Sequence, residues 1–128
     1  MKSLPRVFIL AGGFGTRLAG VLKDLPKPMA PIASRPFLEY QIEFLKKQGF
    51  TRFTLLTGYL AQTIEEHFGI GRRFGVEIDY SVEQFPLGTG GAIQQAFRLH
   101  DDQQALVLNG DSFFATDFVR FVTLASGP

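Results

Sequence analysis

Three small groups of residues have the types and spacing for phosphate chemistry. Gly12, Gly13 and Gly15 occupy three of four consecutive positions and are followed by Thr16 and Arg17. Without Cβ atoms the main chain there can turn sharply and bring its N–H groups close to a ligand. Arg17 sets a fork of donors beside that loop, a shape suited to phosphate oxygens. Lys27, between Pro26 and Pro28, adds a second cation on a stiff backbone. Asp111, in the tripeptide Asn109-Gly110-Asp111, offers a carboxylate to Mg²⁺, which takes oxygen ligands and shares its shell with phosphates and water. Together these residues describe a polyphosphate site.

Two familiar phosphate-binding patterns do not fit. The dinucleotide fingerprint G-x-G-x-x-G fails because Leu18 stands where the third small residue belongs. A P-loop requires Gly-Lys-Ser/Thr, and the chain contains no Gly-Lys pair. The glycines alone are equally compatible with an inert strand-to-helix turn; Arg17 and the Pro-Lys-Pro run weigh against that. Asn-Gly-Asp alone reads as a turn closing a strand, and only beside the glycine loop does it read as a metal site.

Elements that would position these groups follow from the hydrophobic pattern. Val7 to Leu10 is a buried parallel strand that empties into the glycines. Leu18 to Leu22 is expected to make one helical turn before Pro26 and Pro28 force extended backbone, which Met29 to Ile32 continue. Pro36 is expected as the first residue of a helix with Leu38, Ile42 and Leu45 inward, and Phe37, Tyr40 and Phe44 widening that stripe. Glu39, Glu43, Lys46 and Lys47 face out, Glu43 and Lys47 form an i, i+4 pair, and Gly49 stops the helix. Arg52 to Thr57 is the second buried strand and Ala61 to Phe68 the second helix, closed by Gly69. Residues 69–75 form a loop. Val76 to Val82 alternate as a strand with one wetter face.

The run Glu83-Gln-Phe-Pro-Leu-Gly-Thr-Gly-Gly91 leads into a helix from Thr89 to Leu99, with Ile93, Ala96 and Phe97 inward. Read alone, it is an ordinary tight turn with a solvated Glu83. Gln104 to Leu108 is a further strand ending at Asn109. A last helix runs from Asp117 to Leu124, with Thr116 as its cap. Strands alternating with helices predict a mostly parallel sheet covered on both faces, a Rossmann-like three-layer α/β/α fold. The exits of the first and last strands would then meet at one crevice, where open α/β sheets collect ligands. His67, His100 and Asp117 read as helix-end residues, Arg72-Arg73 and Asp101-Asp102 as solvated loop, and the phenylalanines as core.

Composition narrows the class. The chain has 128 residues, enough for one domain with a real core. Hydrophobic content of 45% and charged content of 20% are globular values, and 14 Phe with no Trp predict a Phe-rich core. Thirteen basic against 12 acidic residues leave a net charge of +1, which offers no footprint for nucleic acid or an anionic membrane. The absence of cysteine excludes disulfides and thiolate metal sites and suits the cytoplasm. The apolar run after Lys2 and Arg6 is too short for a signal peptide, and nothing approaches a membrane span.

L-A-G-G-F-G-T-R-L followed by D-L-P-K-P closely resembles the signature of the sugar-phosphate nucleotidyltransferases, the NDP-sugar pyrophosphorylases. The resemblance covers nearly the whole chain. Within the family, L-P-K-P-M-A-P-I, R-P-F-L-E-Y, P-L-G-T-G-G-A-I and L-N-G-D-S-F-F look most like the heptose 1-phosphate guanosyltransferases. Mannose-1-phosphate guanylyltransferases and glucose-1-phosphate thymidylyltransferases share the general motifs. The resemblance implies attack of a sugar 1-phosphate oxygen on the α-phosphorus of a nucleoside triphosphate, with pyrophosphate leaving. It implies a nucleotide pocket of Leu10, Ala11, Gly12, Gly13, Gly15, Thr16, Glu83, Pro86, Gly88 and Thr89. Arg17 would hold the leaving phosphates, Lys27 the α-phosphate, and Asp111 the Mg²⁺.

Family members using pyrimidine nucleotides tend to carry Gln at the position of Glu83. An ionised Glu accepts only, and guanine presents two adjacent donors, so GTP is the expected nucleotide. The resemblance also implies that the family's catalytic domain continues past the point where this sequence stops. That continuation carries a second metal carboxylate, a lysine and most sugar contacts. Residues 1–128 are therefore expected to be the nucleotide-binding portion, with the last strand left as an edge open to pairing in a homo-oligomer.

Overall fold

The computed structural model describes residues 4–11, 31–32, 35–58, 61–84, 87–100, 104–110 and 117–126 (the main chain only for 31–32, 35 and 124–126). Strand β1, Arg6–Leu10, is central. It pairs in parallel with β4, Arg52–Thr57, on one side and β6, Ala105–Asn109, on the other. β5, Glu77–Val82, adds in parallel to the far side of β4, giving a four-stranded order of β5-β4-β1-β6. Val7, Phe8 and Ile9 have no exposed surface, as a continuous apolar run in a sheet covered on both faces should. A separate two-residue ladder pairs β2, Pro31–Ile32, antiparallel with β3, Arg35–Pro36, and runs directly into the first helix.

Among the described residues three helices lie against one face and one against the other. On the first face, α1 (Phe37–Lys47) buries Leu38, Ile42 and Leu45, and α2 (Ala61–Phe68) buries Ile64 and Phe68. The last helix, α4 (Phe118–Ser126), adds Phe118 to the same cluster. These side chains meet Val7, Ile9, Phe53, Leu55 and Leu106 from the sheet. Each Leu or Ile so buried stabilises the fold by roughly 1.5–3 kcal/mol. On the opposite face α3 (Gly88–Phe97) sets Ala92 and Ala96 against Phe8 and Leu56. The Phe8 and Phe97 rings meet edge to face at 4.9 Å.

Several expectations change in detail. Pro36 is the residue before α1, with ψ of 142°, and not its first turn; it closes the β2–β3 ladder instead. Glu39 is not a solvated residue of α1, since its carboxylate lies 3.2 Å from His67 Nε2 and its side chain is only 14% exposed. Glu43 and Lys47 share a face one turn apart, but no ion pair joins them. An i, i+4 pair at a helix surface gains little Coulomb energy against the side-chain entropy of holding it together. The loop after Gly69 contains a 3-10 turn at Arg72–Phe74. On α3 the small Ala92 and Ala96 take the centre of the contact while Ile93 and Phe97 pack at its edge, because only short side chains let the helix approach the sheet closely.

Asp117 lies at the start of the last helix as its capping residue and not as its first helical residue, and His100 has a partner outside the helix that it follows. Asp117 Oδ1 accepts a hydrogen bond from Arg120 N at 3.0 Å and so caps α4. His100 pairs with Asp79 across the sheet face. Thr116, Asp101 and Asp102, and the expected turn at Leu18 to Leu22, lie outside the described residues.

Candidate functional site

All four parallel strands end at one edge of the sheet, and Leu10, Ala11, Glu83, Gly88 and Thr89, the predicted site residues that are described, lie along it. Leu10 stands in register with Leu56 of β4 and Asn109 of β6. Its carbonyl accepts a hydrogen bond from Gly110 N at 2.9 Å, and Ala11 N donates to Leu56 O at 2.8 Å. Ala11 is the last described residue before the glycine cluster, and Gly110 the last before Asp111. The two segments that carry the proposed cations and carboxylate therefore leave neighbouring strands side by side. This is the crevice position at which open α/β sheets take ligands.

Helix α1 fastens that exit. Gln41 Nε2 donates to Asn109 O at 2.8 Å, and Gln41 is only 5% exposed. At the other side of the edge, Glu83 N donates to Thr57 O at 2.7 Å, which places Glu83 beside the end of β4. The Glu83 carboxylate accepts a long hydrogen bond from Leu87 N at 3.4 Å, and Gln95 Nε2 of α3 donates to Val82 O at 3.0 Å. Gly88 and Thr89 are exposed at the start of α3. Gly88 has φ of +73°, a conformation that other L-residues rarely adopt. A Cβ on Gly90 would meet nothing within 4 Å, so packing among the described residues does not demand glycine there. A ten-residue helix opening on glycines at the strand-exit edge presents free N–H groups and the positive end of its dipole to an anion.

The structure thus brings Leu10 and Ala11 next to the exit of β6, and Glu83 next to Gly88 and Thr89. In the strand order β5-β4-β1-β6 the exit of β4 lies between these two groups. Gly12, Gly13, Gly15, Thr16, Arg17, Lys27, Pro86 and Asp111 lie outside the described residues. Among the described residues no group of three or more His, Cys, Asp or Glu could hold a metal ion. None of the described helices is long and apolar enough to cross a membrane.

Two polar residues of this edge escaped the sequence reading. Gln41 sits three residues after Leu38, in the middle of the apolar stripe of α1, and that position was the available signal. Thr57 closes the apolar run Arg52–Thr57; it is fully buried and its Oγ1 has no hydrogen-bond partner among the described residues. A hydroxyl at the last position of a buried strand pointed to it.

Comparison with known proteins agrees with the geometry. Residues 6–127 match the family model described as nucleotidyl transferase. The D-glycero-alpha-D-manno-heptose 1-phosphate guanylyltransferase of Aneurinibacillus thermoaerophilus is 50% identical over 109 residues, covering 85% of this chain and 47% of that protein. The protein of the same name from Campylobacter jejuni is 48% identical over 115 residues, covering 90% and 51%. The crystal structure of HddC from Yersinia pseudotuberculosis complexed with GMP-PN superposes with a TM-score of 0.87 at 37% identity, covering 97% of this chain and 55% of that one. The chain spans about half the length of these relatives. Parallel strands that end together at one edge of a Rossmann-like sheet and a family match over nearly every residue lead to one conclusion: the chain belongs to the nucleotidyl transferase family.

Proposed function

We propose that this chain is the nucleotide-binding portion of a sugar-1-phosphate nucleotidyltransferase that transfers GMP from GTP to D-glycero-D-manno-heptose 1-phosphate. The observation that carries this reading is the pairing of β1 with β6, which sends the segment toward Arg17 and the segment toward Asp111 out of adjacent strands. The choice of guanine rests on Glu83, whose acceptor-only carboxylate lies beside the open start of α3. The choice of heptose rests on relatives at 50% and 48% identity that carry heptose 1-phosphate guanylyltransferase names.

In the proposed reaction an oxygen of the sugar phosphate forms a bond to the α-phosphorus while the bond from that phosphorus to the β-phosphate oxygen breaks. The nucleophile needs no dedicated base, because a phosphate monoester with a second pKa of about 6 is largely dianionic at neutral pH. Catalysis is then positioning and charge neutralisation. Gly12 and Gly13 let main-chain N–H groups approach the nucleotide, with Leu10, Ala11, Gly15 and Thr16 lining the same side. Arg17 steadies the departing pyrophosphate and Lys27 the α-phosphate. Glu83, Pro86, Gly88 and Thr89 form the wall around the base.

Asp111 would hold Mg²⁺. The donor set suits that ion, since a carboxylate here and the second one implied by the family leave the other positions to phosphate oxygens and water. When bound, the ion neutralises charge on the phosphates. The reaction belongs in the cytoplasm. The outer edge of β6, unpaired among the described residues, supports self-association as a homo-oligomer; a monomer by light scattering at high concentration would remove that part.

The test is pyrophosphate release with GTP and Mg²⁺ against a panel of sugar 1-phosphates. Turnover that is highest with heptose 1-phosphate supports the assignment, and preference for another sugar or nucleotide redirects it. Calorimetric binding of GTP and Mg²⁺ with no pyrophosphate release would instead select a nucleotide-binding half-domain without turnover.

A further inference from the structure

A second polar cavity lies on the solvent side of α1, away from the strand exits. It is a cleft of about 910 Å³ between α1, α2 and the 3-10 turn. Along α1 it runs from Glu39 past Glu43 to Lys46 and Lys47, a stretch of about 12 Å at 1.5 Å per residue. Arg72 and Phe74 form the opposite wall. Charge is unevenly shared along it. Lys46, Lys47 and Arg72 are exposed and have no ion-pair partner among the described residues. The carboxylates occupy the other end, where Glu39 is held by His67. Arg73 is already engaged, donating to His67 O at 2.6 Å and lying 4.6 Å above the Phe74 ring. The shape depends on Gly75: a Cβ there would come within 2.5 Å of Lys46 Nζ, so a side chain at 75 would evict that ammonium from the wall.

We propose that this cleft binds a phosphate ester of a polyol, such as a sugar phosphate, as a site separate from the strand-exit edge. Lys46, Lys47 and Arg72, with no ion-pair partner among the described residues, supply charge-assisted hydrogen bonds to a phosphate dianion. The carboxylates of Glu39 and Glu43 have several acceptor positions each and can also accept from hydroxyls. A cleft carrying this excess of one charge concentrates anions from solution. Nothing in this inference depends on which nucleotide or sugar the strand-exit edge takes.

The experiment is an amide NMR titration of the full chain with glucose 6-phosphate, with inorganic phosphate, glucose and sodium chloride at matched ionic strength as separate arms. Glucose 6-phosphate should produce saturable shifts at Lys46, Lys47, Arg72 and Gly75 while Leu10, Ala11 and Gly110 stay in place. Lys46→Ala and Arg72→Ala, both exposed and outside the nucleotide edge, should each weaken binding about fivefold, the upper range for one exposed charge pair, with unfolding midpoints unchanged. Equal shifts with sodium chloride, no saturation, or undiminished binding by both variants would overturn the site. Inorganic phosphate binding as tightly as glucose 6-phosphate would overturn the polyol assignment. Loss of GTP binding at the strand exits with the cleft titration intact would count against the proposed function and leave this site standing.

Discussion

The two ends of the same four strands are built on opposite plans. At the end where the strands begin, side chains satisfy one another. Asp79 accepts from Thr54 Oγ1 at 2.6 Å, pairs with His100, and lies 3.7 Å from Arg6. Arg52 donates to Leu4 O at 2.9 Å. At the end where the strands finish, the described polar groups are mostly main chain, three of the first four helical residues of α3 are glycines, and a buried Thr57 hydroxyl has no partner among the described residues. The first end spends its polar side chains on holding the sheet, its terminal segment and α3 together. The second presents main-chain groups at the edge where open α/β sheets place their sites.

The largest expected effect would break this comparison if it appeared at the wrong end. Arg17→Ala and Asp111→Ala should each lower turnover by about 10²–10³, as removal of a group that stabilises transition-state charge does. The thermal midpoint should stay unchanged. Pyrophosphate release reads the first quantity and calorimetry the second; near-wild-type turnover in either variant removes that residue from its role.

Asp79→Ala should do the reverse. It strands the Thr54 hydroxyl, which is fully buried, and leaves His100 and Arg6 without this shared carboxylate. The expected loss is about 1–3 kcal/mol in urea unfolding, the cost of an unsatisfied buried polar group, with GTP affinity untouched. A fall in GTP affinity without a fall in stability would collapse the distinction between the two ends.

A smaller effect sharpens the contrast within the strand-exit end. Thr57→Val keeps the shape of a buried side chain and removes the unpartnered hydroxyl. Stability should be equal or higher by about 1 kcal/mol, since the desolvated group is no longer buried unpaired. Clear destabilisation in chemical unfolding would mean that Thr57 has a partner.

Tyr80, on the outer strand β5, gives a mild alkaline signature. Burial first, then the charges of Glu65 and Asp79, push its phenol from 10.0 up to about 12, and its hydroxyl donates to Gly69 O at 2.6 Å. The folded state therefore keeps the proton that the unfolded chain releases. The resulting stabilisation is complete below pH 10 and is lost as the pH rises to about 12. A phenolate absorbance titration should show one late-titrating tyrosine that shifts back to about 10 on unfolding; Tyr80→Phe should abolish the late phase.

Much of the framework was legible from the residue pattern. Arg52 to Thr57 and Ala61 to Phe68 fall where periodicity put them, because a two-sided buried strand and a one-sided helix leave different apolar spacings. Asp117 reads as a helix start and is one. Errors came where a distant element supplied a competing interaction. Glu39 was assigned to solvent until α2 brought His67 to it. Pro36 is a good first helical residue by local preference, yet pairing with Pro31 holds it extended. Gln41 is a polar residue inside an apolar stripe, and only the parallel placement of β6 gives its amide a carbonyl to meet.

By itself the sequence determined the class of chain: alternating apolar runs and amphipathic stretches, glycines with Arg17 and Lys27, and Asn109-Gly-Asp111 suffice for a phosphate-handling α/β protein of this family. These are local matters of side-chain volume, charge and backbone freedom. Only the tertiary structure decided the strand order β5-β4-β1-β6 and hence which exits are neighbours. It also decided that Asp79 gathers three partners and that Lys46 and Arg72 line one cleft. Residues far apart in the chain meet only once the sheet has ordered them, and no local preference encodes that order.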